Sequence, residues 1–402
     1  MKFFYKSMCC VFLMTLFFIS QTSFAQSEDF ETWKKQFKER ALKEGISKKT
    51  LDKYVPQMTL LQRVVQQDMK KPEYLRNFWD YTSPRLTSEK IAKAKEIQKK
   101  YTTWLSRVEQ QYQVPQEYLL ALWSMETNFG SFMGKTPLLS SLASLSYHPR
   151  RREFFTKELL AYFKILESEP YPPFYGAWDG GIGHFQFMPT TYLAYAVDAD
   201  NNGTRSLTGS IPDSLASAGN YLHRMGWKEK EPWGHQVSLP EKFDWEKIGQ
   251  TKKVSEWKKM GVLTKENHLI PKEEEEIMAV LRAPMGSQGP TFLTYPNFKL
   301  INRWNKLELY ALTTGMLADI ISGKSDSPNR PNDFRPLKTE TFCQLQKKLS
   351  EMGYYTSEID GTLGPNMRQA LRSFQTDNRI KVDGYPNEET LRILNIYKGE
   401  LK

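Results

Sequence analysis

The sequence predicts a mainly α-helical protein of two folded units, and three observations carry that expectation. Apolar residues recur at three- and four-residue spacing through most of the stretch from Glu28 to Thr127, and again after Arg152. A polar stretch with three prolines, "GKSDSPNRPNDFRP", separates this body from a second set of helical stripes beyond residue 338. At 402 residues the chain is also too long for one compact core of ordinary size.

Residues 1–25 are expected to stand outside the fold. Lys2 and Lys6 precede an apolar stretch from Met8 to Ile19, and Ser23-Phe24-Ala25 supplies a small-residue cleavage pattern. That is a secretory signal peptide cut after Ala25, its apolar stretch being short for a membrane span. In "LTSEKIAKAKEIQKKYTTWLSRVEQQYQ" the stripe is Ile91, Ala94, Ile97, Tyr101, Trp104, Leu105 and Val108. Val114-Pro115 breaks it, and Pro115 suits the first turn of the following helix. Another helix is expected at "RREFFTKELLAYFKILES". Between Pro170 and Gly183 the density of proline, glycine and aromatic residues predicts a shaped loop. Pro189 and Thr190 then open a helix, and "PDSLASAGNYLHRMGW" forms one that Gly226 stops. Short β-like patches follow at "WGHQVSLP" and "IMAVLRAP", giving a small β element, before a last body helix in "KLELYALTTGMLADIIS". The body thus covers 26–322, a linker 323–337 and a C-terminal unit 338–398, punctuated by Ile359-Asp360-Gly361 and Val382-Asp383-Gly384.

Composition narrows the function classes. The formal charge is +10, and loss of Lys2 and Lys6 with no acid leaves +8 on the mature chain. A basic, exported, soluble protein suits an acidic polymer or an anionic surface. Nucleic acid is excluded as a partner because the basic residues are scattered and the chain is exported. After cleavage only Cys343 remains, so no internal disulfide is expected.

One residue breaks the helical pattern. In "LLALWSMETNFG", Leu119, Leu122, Trp123 and Glu126 share one helix face, where an ionised carboxylate is costly. Two readings fit. Glu126 is a helix-end glutamate paired with a basic neighbour, or its apolar wall raises its pKa so that it donates a proton, as glycosidic cleavage requires. Periodicity leaves both open. In "DADNNG", Asp198, Asp200 and Asn202 stand at positions one, three and five of a calcium-type loop with Gly203 at six. Position twelve is Gly209 rather than glutamate, with Asp213 close by, so a structural calcium competes with an Asx-rich turn. The five histidines lack zinc-ligand spacing, "GGIG" lacks a preceding strand, and no nucleophile elbow appears.

Four segments, "ETNFGSFMGKTPLLSSLASLSYHPRRREFF", "GAWDGGIGHFQFMPTTYLAYAVDADNNG", "PDSLASAGNYLHRMGW" and "NFKLINRWNKLELYA", occur in that order. Together they resemble the family of the membrane-bound lytic murein transglycosylase B, glycoside hydrolase family 103, over about residues 30 to 322. The pattern "LQKKLSEMGYY…IDGTLGPNMRQALRSFQ…VDG" is similar to three-helix peptidoglycan-binding domains. The resemblance implies a lysozyme-like α-helical catalytic domain in the periplasm with no required cofactor. It implies non-hydrolytic cleavage of the β-1,4 bond between N-acetylmuramic acid and N-acetylglucosamine, giving 1,6-anhydro ends, with peptidoglycan glycan strands as the partner. A hydrolytic muramidase and a non-catalytic wall-binding scaffold are the other readings. Glu126 matches the single catalytic acid/base. Gln186 and Phe187 in "QFMP", Arg150 and Arg151 in "HPRR", Asn305, Tyr310 and Tyr81 match substrate-contacting positions, and some relatives bind calcium at the 198–203 loop. The C-terminal unit is expected to be separable, its removal sparing cleavage of short soluble glycans.

The chain departs from the family pattern in three places. "GSWAGAMG" reads here "GAWDGGIG", so Ala177 replaces a serine and Asp179 a small apolar residue; Trp304 replaces a tyrosine, and Leu307 a polar residue. Asp179 is expected to be a loop carboxylate facing solvent. Across the cleft from Glu126 it would instead suit a two-carboxylate hydrolase.

Overall fold

The computed structural model describes residues 29–69, 77–332 and 334–396, so the expected signal peptide lies outside the described residues. The body opens with α1 (Phe30–Lys43) and α2 (Lys48–Tyr54), whose caps Asp29 and Ser47 accept from amides three residues on. Next come α3 (Gln62–Met69), α4 (Phe78–Thr82), α5 (Ser88–Lys100) and α6 (Thr102–Tyr112). The single stripe read from Ile91 to Val108 is therefore two helices. Thr102 Oγ1 donates to the Gln98 and Lys99 carbonyls at 2.8 and 2.9 Å, a local bond that competes with helix continuation.

The central helix is α7 (Gln116–Thr127), preceded by Pro115 at the cap position rather than in the first turn. It buries Leu119, Leu120, Ala121, Leu122 and Trp123, so it is apolar nearly all round and threads the core. Around it pack α8 (Leu138–Tyr147), α9 (Arg152–Ser168), α10 (Pro189–Tyr195), α11 (Ile211–Arg224), α13 (Pro296–Trp304) and α14 (Glu308–Ile321). A two-residue antiparallel pair, β1 (Thr136–Pro137) with β2 (Tyr175–Gly176), pins the shaped loop beside the end of α7.

The β element is larger than the sequence suggested. The strands β3 (Gly234–Ser238), β4 (Thr251–Lys253), β5 (Leu263–Thr264), β6 (Met278–Arg282) and β7 (Thr291–Thr294) form an antiparallel sheet in the order β4-β6-β7-β3-β5. The two expected patches are β3 and β6. The sheet and the short helix α12 (Val254–Lys259) enclose their own core of Val237, Val254, Trp257, Leu281, Leu293 and Tyr295.

The C-terminal unit contains α15 (Thr339–Glu351), α16 (Pro365–Asp377) and α17 (Glu388–Ile393) around Leu345, Leu349, Leu371 and Phe374. Its two Asp-Gly turns are tied down in the same way. Gln346 accepts from the Gly361 amide at 2.8 Å and donates to Asp360; Gln375 accepts from the Gly384 amide at 2.9 Å and donates to Asp383. Neither glutamine is exposed, and each satisfies backbone groups that would otherwise be orphaned.

This unit is not held by the linker alone. Tyr385 is buried within the main core of the body, and Leu363 packs against that core. The Asp383 carboxylate accepts from the Ser287 amide and hydroxyl at 3.1 and 2.9 Å. Gly286 adopts φ +57°, and a Cβ there would stand 2.5 Å from the Tyr385 Cβ, so close approach requires glycine. The linker itself is fastened, Arg330 pairing with Asp80 at 2.9 Å and Ser327 donating to the Leu86 carbonyl at 3.2 Å. Among the described residues no helix is long and apolar enough to cross a membrane.

Candidate active site

Glu126 is the penultimate residue of α7, and the chain turns sharply just beyond it. Asn128, Phe129 and Gly130 all take left-handed conformations, with φ of 48°, 58° and 83°. For the two non-glycine residues this stores roughly 1–3 kcal/mol each. The turn persists because its surroundings over-determine it. Phe129 N donates to the Trp123 carbonyl at 3.2 Å, Thr127 Oγ1 to the His184 carbonyl at 2.7 Å, and Gly130 N to Thr127 Oγ1 at 3.0 Å. The His184 ring occupies the space a side chain at 130 would need: a Cβ there would lie 2.4 Å from its Cε1. Trp123 Nε1 donates to His184 Nδ1 at 3.0 Å, which leaves the ring proton on Nε2. Burial pushes the imidazole down to about 4, so the ring is neutral at ordinary pH. His184 is thus a structural clamp on the end of α7, a role that histidine spacing in the sequence does not signal.

The Glu126 side chain is half-buried, and its Oε1 accepts from the Tyr310 hydroxyl at 2.5 Å. Tyr310 projects from α14 and is 3% exposed. Burial, then the charge of and hydrogen bond to Glu126, push the phenol well above its usual range, so it stays a donor. The expectation that Glu126 sits in an apolar wall therefore meets one specific polar partner, 184 residues away in sequence.

The other expected residues divide into rim and support. Gln186 is half-buried with φ +51°, and its amide donates to the Gly183 and Met133 carbonyls at 2.8 and 3.3 Å. Asn305, also half-buried, lies between α13 and α14 and receives the Leu307 amide at 3.3 Å. Phe187 and Tyr81 were expected to touch substrate, but are 2% and 1% exposed. Phe187 packs against Trp304 and Tyr221, with ring centroids 5.6 and 6.0 Å away. Tyr81 lies close enough to Tyr310 to help raise its ionisation.

Arg150 and Arg151 were expected to meet carboxylates of a ligand. Both pair with Asp68 of α3, Arg150 at 2.7 Å. The carboxylate is buried while the guanidinium groups remain partly exposed. Asp179 also departs from expectation. It is half-buried rather than facing solvent outright, and burial pushes its carboxyl above the usual range, against the Gly181 amide at 3.5 Å and nearby Arg151. The loop that carries it is anchored through Ser141, which donates to the Trp178 carbonyl.

The 198–213 loop gathers oxygen donors of another kind. Carboxylate oxygens of Asp198, Asp200 and Asp213 lie within 4.8 Å of one another, a hard-oxygen set of the type calcium takes. Asp213, buried in α11, brings a third carboxylate to a loop that lacks a twelfth-position glutamate. Its oxygens also accept from the Ala199 and Ser206 amides, both at 2.8 Å. Asn202 Oδ1 accepts from Thr204, at 3.0 Å from the amide and 2.7 Å from the hydroxyl.

Comparison with known proteins gives one consistent picture. Residues 29–319 match the profile of the transglycosylase SLT domain, and residues 339–394 that of a peptidoglycan binding domain. The membrane-bound lytic murein transglycosylase B of Escherichia coli strain K12 is 29% identical over 251 residues, 60% of this chain and 66% of that one. This chain therefore spans slightly less than two thirds of that relative's length. The crystal structure of SltB3 from Pseudomonas aeruginosa in complex with NAG-anhNAM-pentapeptide is 35% identical. It superposes with a TM-score of 0.85, covering 92% of this chain and 100% of that one. The E. coli lytic transglycosylase Slt35 in complex with calcium shares the fold at 24% identity. Its TM-score is 0.61, over 72% of this chain and 93% of that one. The mainly α, lysozyme-like architecture expected from the sequence is the architecture of these enzymes.

Proposed function

The chain belongs to the transglycosylase SLT domain family, and from that membership we propose that it is a lytic transglycosylase of peptidoglycan. It cleaves the β-1,4 bond between N-acetylmuramic acid and N-acetylglucosamine and leaves a 1,6-anhydromuramoyl end. Glu126 is the only acid/base. Protonated, it gives its proton to the glycosidic oxygen as the bond to C1 breaks. As a carboxylate it then takes the proton of the muramoyl C6 hydroxyl, whose oxygen closes on C1. Glu126 ends protonated, and no water is consumed. Holding the internal hydroxyl beside C1 supplies the proximity a captured water would lack.

The observation that carries this reading is the Tyr310 hydroxyl on the Glu126 carboxyl, delivered by a buried helix that packs against α7. A fixed donor steadies the carboxylate between its two roles and sets its orientation. Gln186 and Asn305 supply polar contacts for sugar groups at the rim. Arg150 and Arg151, oriented by Asp68, present guanidinium edges to stem-peptide or lactyl carboxylates, and Phe187 and Tyr81 support the wall. SltB3, also crystallised with NAG-NAM-pentapeptide, supports the substrate class.

Residues 26–322 form the catalytic body and 338–398 a wall-binding module, joined by 323–337. The leader at 1–25 sends the chain to the periplasm. No cofactor is needed for the proton chemistry. Asp198, Asp200 and Asp213 would hold a calcium ion that ties the loop to α11, a reading supported by their clustered oxygens.

The test is digestion of purified sacculi by the full-length protein, with mass spectrometry of the muropeptide ends. Anhydro ends are expected, and Glu126→Gln should abolish them while sacculus binding persists. Reducing ends would make the protein a muramidase, and no release from the wild type would leave a wall-binding scaffold.

A further inference from the structure

One contact between the C-terminal module and the body, at the segment that follows β6, leads to Glu126. Arg368 of α16 is half-buried there and donates to the Pro284 carbonyl at 2.6 Å, two residues after Arg282. One helical turn on, Arg372 is also half-buried, and its Nε has no hydrogen-bond partner. The carboxylates of Asp383 and of Glu308 in the body both favour the charged guanidinium groups against the cost of burial.

Glu308 is the first residue of α14, a helix with no side-chain cap. Its carboxylate also pairs with Arg282 at the end of β6, and Arg282 is fixed by Thr294 at 2.9 Å and by the Phe298 ring at 4.8 Å. Arg368 therefore holds the segment that carries Arg282, and Arg282 in turn pairs with Glu308. Two residues on, within the same first turn, is Tyr310 with its hydroxyl on Glu126. A helix start held by an ion pair shifts when the segment that presents its partner is loosened, and a displacement of well under 1 Å is enough to degrade a catalytic hydrogen bond.

We propose that Arg368 of the C-terminal module is a positioning residue for the reaction at Glu126, acting through Glu308 at the start of the helix that carries Tyr310. The module is then part of the catalytic unit as well as a wall anchor, contrary to the separability expected from the sequence. The inference rests on the reading of Glu126 as the acid/base. It places the module's contribution in the chemical step, because the contact it secures is the Tyr310 hydroxyl on Glu126.

The experiment uses the full-length protein and a short soluble glycan, so that wall anchoring plays no part. Arg368→Ala should lower kcat about tenfold with KM within about twofold, the pattern of a contact that matters only to the transition state. Sacculus pelleting should stay at the wild-type level, and Arg368→Lys, which keeps the charge and one donor, should recover most of the loss. Met352→Ala, on the exposed side of the module, should match wild type. In a Tyr310→Phe background Arg368→Ala should cost little more, since both act on one hydrogen bond. An Arg368→Ala enzyme with wild-type kcat overturns the proposal. So does a loss of kcat that Arg368→Lys does not recover, or that adds in full to Tyr310→Phe. Should Arg368→Ala fail to fold, Glu308→Gln carries the same test, its unchanged kcat being the refuting result. A wild-type enzyme that releases no anhydro ends would refute the parent reading instead.

Discussion

Replacing Tyr310 with phenylalanine removes one oxygen from the site and little else. The ring is buried and keeps its packing, so no cavity larger than a hydroxyl is left. What disappears is the donor at 2.5 Å from Glu126. A hydrogen bond to a charged group contributes about 1.5–3 kcal/mol, and taking about 2 kcal/mol gives roughly a 30-fold loss at 25 °C. Since the bond serves the carboxylate between its two proton transfers, the loss should fall on kcat, leaving KM within a factor of about two. The assay is initial-rate release of anhydro ends from a soluble glycan, alongside a thermal melt to check the fold. A variant within twofold of wild-type kcat would refute the argument that Tyr310 aims Glu126. A fall confined to KM would move Tyr310 to substrate binding.

Three further outcomes follow from the site. Gly130→Ala puts a side chain at φ 83° and onto the His184 ring, so it should destabilise the protein by about 2–4 kcal/mol in denaturant melts and remove activity. His184 has its folded-state pKa lowered from 6.5 to about 4, so between those pH values the unfolded chain binds a proton that the folded one does not. Stability should be complete above about pH 6.5 and fall as pH drops toward 4, by on the order of 3 kcal/mol; His184→Gln should flatten that part of the profile. Calcium at a hundredfold over its Kd should add about 2.7 kcal/mol to the wild type in melts after chelation, and Asp213→Asn should remove most of that gain.

The helices were legible because each carries its period locally. The 152–168 segment shows a buried stripe from Phe155 to Leu166 that no distant contact is needed to predict. The sheet was harder: β4 is Thr-Lys-Lys and β5 two residues long, so neither has an apolar alternation to read. Glu126 stood out because a carboxylate in an apolar face demands an explanation. Its partner Tyr310 was named by resemblance, and the hydrogen bond between them is a product of tertiary packing alone. The same holds for Arg150 and Arg151, whose run looks solvated or substrate-facing until the fold brings Asp68 beneath it. The partial burial of Asp179 was hidden for a related reason, since loop composition predicts exposure and says nothing of what packs beside the loop.

The burial of Tyr385 within the body's interior has a consequence for how the chain comes to be folded. The last few dozen residues contribute a side chain to the hydrophobic centre assembled from the first three hundred, so loss of either unit's structure exposes part of the other. Calorimetry of the finished molecule should accordingly trace one endotherm, not two.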